Sequence, residues 1–147
     1  MKRFKYTLLL ATMLFTAGIT FGQEDSGRKL DTMLTGAAEV PGPGDTDGGG
    51  TASFRFNQGK NQICYDITVT NIAVATGAHI HDGAVGVAGD VVVTLMAPAA
   101  DGKSSGCVDA TADLIKRIRQ NPENFYVNIH NVEFPGGAVR GQLGKKP

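Results

Sequence analysis

The sequence predicts an all-β protein, an antiparallel β-sandwich with one short helix, and three observations carry that prediction. Apolar and polar residues alternate in short runs, as at Ala52, Phe54 and Phe56 and again at Ile63, Tyr65, Ile67 and Val69. That is the period of a strand with one buried face. Clusters of Gly, Pro, Asn and Asp separate the runs at the spacing expected of a sandwich or barrel. Only residues 112–120 place apolar side chains (Leu114, Ile115, Ile118) at helical spacing.

In chain order, residues 30–35 read as a first strand. Residues 42–50, GPGDTDGGG, read as a loop with little strand or helix potential. Residues 52–56 and 63–70 form a hairpin across the turn Asn57-Gln58-Gly59-Lys60-Asn61. Residues 78–82 give a short strand, residues 83–89 (GAVGVAG) a glycine-rich turn, and residues 90–95 (DVVVTL) a compact apolar strand. Thr111 is placed to cap the helix, with Asp113 in its first turn and Lys116, Arg117 and Arg119 near its C-terminal end. Asn121-Pro122 stops it. Residues 125–130 and 138–143 read as the last two strands, joined through Phe134-Pro135-Gly136-Gly137.

The ends of the chain set its compartment. Lys2, Arg3 and Lys5 precede an uncharged stretch over residues 6–21 that closes on small residues, the pattern of a secretory signal peptide. The expected organisation is a signal peptide at 1–22, a polar leader at 23–29, one domain at 30–144 and a short tail at 145–147. The apolar run is shorter than the roughly 20 residues of a membrane-spanning helix and is broken by threonines. No membrane span is therefore expected after cleavage. The whole chain balances 14 basic against 14 acidic residues, and loss of the three leader cations leaves 11 against 14, a net charge of −3. Such a domain lacks the broad basic footprint of a nucleic-acid binder. The expected location is periplasmic or secreted. There Cys64 and Cys107, the two cysteines of the chain, are expected to form a structural disulfide.

The histidines are the one constellation that invites chemistry. His79 and His81 lie two apart on one strand and share a face, while His130 shares a face with Tyr126 and Asn128 on another. All three lie opposite the apolar residues of their strands, which argues for a polar cluster. In the plainer reading the imidazoles hydrogen-bond to loop backbone and lock the two segments together. In the alternative, an H-x-H pair and a third histidine hold copper or zinc and leave a position open, with Asp82 as a further ligand or its support. Ring nitrogens converging to within about 4 Å of one another around a common point would favour the metal site, and a His130 pointing away from the pair would exclude it. Glu39 and Arg140, in the opening and closing segments, are a candidate pair clasping the ends of the domain. No Gly-x-Ser-x-Gly elbow, phosphate-cradling loop or regular calcium-loop spacing occurs, so no catalytic residues are assigned.

Several segments in this order resemble the CHRD domain, named for chordin and found widely in exported bacterial proteins. They are Leu34-Thr35-Gly36 with Glu39-Val40-Pro41, His79-Ile80-His81-Asp82-Gly83, residues 86–95, Tyr126-Val127-Asn128-Ile129-His130, and residues 135–143. The match spans about residues 30–143. Two departures are small: Gly42 follows Val40-Pro41 where a second proline is usual, and Ala138 stands where glutamate is frequent. The resemblance implies a Greek-key sandwich, immunoglobulin-like or superoxide-dismutase-like. In chordin these domains belong to a secreted antagonist of bone morphogenetic proteins, and carrying that role over would rest on fold alone. The likeness to copper/zinc superoxide dismutase is partial, because three histidines are too few for that enzyme's ligands. The expected function is an exported, non-enzymatic binding or structural module with a protein or cell-envelope partner. The alternative is a copper- or zinc-binding protein, with redox or hydrolytic chemistry within its reach.

Overall fold

A computed structural model describes residues 27–144. Eight strands, β1 (Arg28–Thr35), β2 (Gly49–Asn57), β3 (Gln62–Thr70), β4 (Ala75–Asp82), β5 (Asp90–Leu95), β6 (Lys103–Asp109), β7 (Phe125–Asn131) and β8 (Val139–Gln142), accompany one helix, α1 (Ala112–Gln120). The strands form one continuous sheet in the order β5-β4-β7-β8-β1-β2-β3-β6, and every pairing is antiparallel. The all-β, antiparallel expectation holds. The sheet is nearly barrel-shaped, with β1 and β8 joined at the single pair Thr35↔Arg140. Its outer strands approach at one end, where Ser104 Oγ donates to Met96 O at 2.7 Å and Met96 N donates to the Tyr65 hydroxyl at 3.0 Å.

The alternation that marked the strands fills the interior. Phe54, Phe56, Ile63, Ile67, Ile80, Val127 and Ile129 are buried in one cluster. Helix α1 seals it with Ile115 and Ile118, and Thr111 accepts the Leu114 N–H as its cap, as the sequence predicts. The β2–β3 hairpin pairs in unbroken register from Gly49↔Thr70 to Asn57↔Gln62. It recruits Gly49 and Gly50 from the anticipated loop. β1 begins two residues before Leu30 because Arg28 and Lys29 pair with Phe56 and Arg55.

β6 departs from the sequence reading, which assigned no strand there. Its segment KSSGCVD lacks an apolar alternation, because it is an edge strand with one buried residue, Ser104. Pairing to β3 and a covalent bond make it a strand: Cys64 and Cys107 are directly opposed in register and disulfide-bonded, with their Cα atoms 3.9 Å apart. The proposed signal peptide and all of the leader before Gly27 lie outside the described residues. Among the described residues no helix is long and apolar enough to cross a membrane.

Candidate functional site

β7 runs between β4 and β8, and its two faces differ. Phe125, Val127 and Ile129 enter the core, while Tyr126, Asn128 and His130 face the other way. Register then places polar and aromatic side chains in rows across that outer face. His79 lies opposite Asn128, which lies opposite Arg140; His81 lies opposite Tyr126, which lies opposite Gln142; His130 lies opposite Gly77. A Cβ at Gly77 would sit 3.3 Å from the His79 ring and 3.6 Å from the His130 ring, so the glycine gives both imidazoles room to lean together.

The histidine rings converge. Their centroids are 5.0 Å apart for His79 and His130, 5.8 Å for His79 and His81, and 6.4 Å for His81 and His130. One ring nitrogen from each lies within 4.8 Å of the others. Dividing that span by the square root of three leaves a point no more than about 2.8 Å from all three nitrogens. A zinc–imidazole bond is about 2.0–2.1 Å. Closing the difference takes an inward shift of under about 1 Å per ring, within reach of small side-chain rotations. The spacing is wider than the 4 Å criterion of the sequence reading by a comparable amount.

Both readings of the histidines meet in one arrangement. His81 Nδ1 lies 2.9 Å from Gly89 O and His130 Nδ1 lies 3.0 Å from Pro135 O. A carbonyl oxygen only accepts, so Nδ1 carries the hydrogen in both rings and Nε2 keeps a free lone pair. The nitrogens left buried without a partner are His81 Nε2, His130 Nε2 and His79 Nδ1, one from each ring. Burial holds the His79 side chain below its ordinary pKa, and His130 and His81 push in the same direction. Burial also lowers His130, against the pull of the Pro135 carbonyl and with a further push from His81. Neutral imidazole is the form that binds metal.

Asp82 does not join this group. It ends β4 on the opposite face from His81, and Arg117 of α1 takes its carboxylate. Strand alternation decides this: a neighbour in sequence is on the other side of the sheet.

Arg140 and Glu39 are both buried, at 2% and 5% exposure. Arg140 does not clasp Glu39 with its hydrogen bonds. Its guanidinium donates to Val87 O at 2.9 Å, Ala84 O at 3.0 Å and Gln142 Oε1 at 3.2 Å, and it lies 3.4 Å over the Tyr126 ring. Tyr126 also stacks on His81, with ring centroids 4.6 Å apart and ring planes nearly parallel. Its hydroxyl accepts the Gly89 N–H, and Gln142 Nε2 donates to Gly83 O. The 83–89 turn is thus tied to the sheet by Arg140, Gln142, Tyr126 and His81, and its Gly89 carbonyl orients the His81 ring. Gln142 was not legible as part of the site, although alternation places it on the face of Arg140. A groove of about 410 Å³ opens beyond Arg140, between residues 35–40 and Val85-Gly86, and no histidine lines it.

Burial pushes the Glu39 carboxyl up to about 7, against the opposing pull of Arg140, the Val40 N–H and Asn128. Gly137, at φ +142°, packs so closely that a Cβ there would lie 2.4 Å from this carboxyl. The folded protein therefore holds a proton that the unfolded chain, titrating near 4.5, releases. This contribution is complete below pH 4.5 and is lost as pH rises through 7, up to about 3 kcal/mol. His79 and His130 give an opposite slope, so the comparison needs Glu39→Gln. Urea midpoints at pH 5 and pH 8 should drop more in the wild type than in Glu39→Gln, and equal drops would remove the assignment.

A family model described as the CHRD domain matches residues 30–143. No curated protein and no solved structure matches the chain.

Proposed function

Because the chain belongs to the CHRD domain family, we propose that it is an exported, non-enzymatic binding module whose three histidines hold one zinc or copper ion. One observation carries the reading. Three converging imidazoles each present a buried nitrogen without a partner, and two of them are held in the right tautomer by backbone carbonyls. Burying a polar atom without a partner is costly, and one cation would satisfy all three. Three neutral nitrogens suit zinc or copper over calcium or magnesium, and they leave a fourth position for a non-protein ligand. The basic and apolar start of the chain, together with the Cys64–Cys107 bond, supports export to a periplasmic or extracellular location.

Elemental analysis of the protein, after incubation with zinc or copper and gel filtration, tests the reading. One equivalent of metal is expected in the wild type, with a loss of at least about tenfold in affinity for His81→Ala, which removes a ligand and its bond to Gly89. No retained metal, or equal retention by the variant, would overturn it.

A further inference from the structure

The histidines surround a fourth polar side chain. On the outer face of the sheet Asn128 has His79 across from it on β4, Arg140 across from it on β8, and Tyr126 and His130 two residues away on its own strand. It is the short residue on this part of the face, and it is 2% exposed. Its amide oxygen has no partner, although Asn128 sits among donors and rings. A buried carbonyl oxygen without a donor is uncommon and calls for a group that supplies one.

The direction of that oxygen follows from the other arm of the amide. The Asn128 amide lies close enough to the Glu39 side chain to pull its pKa down. Asn128 therefore favours the ionised carboxylate and reaches it with the nitrogen, the donor arm of the amide. Glu39 lies on the β8 side of Asn128, against Gly137 and near Arg140. A planar amide with its nitrogen toward β8 turns its oxygen toward β4 and the imidazoles. The Glu39–Arg140 pair fixes this orientation.

The geometry points to Asn128 as the residue that selects the fourth ligand of the histidine site, its oxygen favouring a ligand that donates a hydrogen bond, such as water, over an anion that cannot. The inference rests on the metal reading above. Water on the ion donates to Asn128 Oδ1 and satisfies it. Azide in the same position has no hydrogen to give and leaves the oxygen unpaired and repelled. One lost hydrogen bond of ordinary strength corresponds to about fivefold in binding.

The test loads the full-length protein with copper(II) and titrates azide, following the azide-to-copper charge-transfer band. Asn128→Leu, which keeps the volume and removes the acceptor, should bind azide about fivefold more tightly than the wild type. Asn128→Asp, which strengthens the acceptor and adds a negative charge, should bind it more weakly. A role in packing alone would not move the two variants in opposite directions. Copper-loaded proteins with equal azide affinities would overturn this assignment and leave the metal site standing. A wild type that takes up no copper would overturn both. If Asn128→Leu does not fold, the direction of change in Asn128→Asp decides alone, and tighter azide binding by that variant counts against the proposal.

Discussion

Arg140→Ala is expected to destabilise the fold by about 3–5 kcal/mol, the range for removing one member of a buried charged network. The guanidinium satisfies three acceptors, Ala84 O, Val87 O and Gln142 Oε1, and fills the space above Tyr126. Alanine removes all three bonds, leaves Gln142 Oε1 buried without its donor, and removes the positive charge that opposes the desolvation of Glu39. Arg140→Lys should recover only a small part, because an ammonium cannot reach two carbonyls in a fork while lying flat on a ring. Asp82 and Arg117 provide the contrast. Their side chains are 37% and 56% exposed, so Asp82→Asn should cost no more than about 1 kcal/mol. Urea denaturation of the three variants checks the order, and an Arg140→Ala loss below that of Asp82→Asn would refute the account of the network.

Opening the Cys64–Cys107 bond should have an effect of similar size by a different route. The bond joins residues 43 apart in sequence, and closing a loop of that length stabilises by about 4 kcal/mol in the chain-entropy model. For a domain of this size the loss corresponds to a fall in Tm of more than about 10 °C. The double variant Cys64→Ser/Cys107→Ser should still fold, because β3 and β6 pair along seven residue positions. The loss should be concentrated in β6, which buries little apart from Ser104. Hydrogen exchange of residues 103–109 in the double variant should accelerate far more than that of β7. Uniform acceleration across the sheet, or a Tm within about 2 °C of the wild type, would count against this view.

The two expectations also show what was legible in advance. Phe54, Phe56, Ile63 and Val127 declared their strands because one face of each strand is buried in the core, and period two follows from that. β6 did not, since an edge strand held by a neighbour and a disulfide needs no apolar face. The pairing of the histidines on faces was readable from alternation, and so was their separation from the core. What alternation does not report is a second cover. The 83–89 turn lies over the outer face, and its carbonyl at Gly89 fixes His81. That depends on Arg140, which lies 51 residues beyond the end of the turn in the sequence and only across a strand in space. Asp82 was misplaced for the converse reason: nearness in sequence outweighed the side of the strand.

The near-closure of the sheet has a consequence for how the chain meets copies of itself. An open sheet offers its first and last strands as templates on which other extended chains polymerise. Here β5 and β6 are those strands, and Met96 is held against both Tyr65 and Ser104 where they meet. Both backbone groups of Met96 are thereby engaged within the chain and closed to another one. Strand addition by a second copy should therefore stop short of Met96.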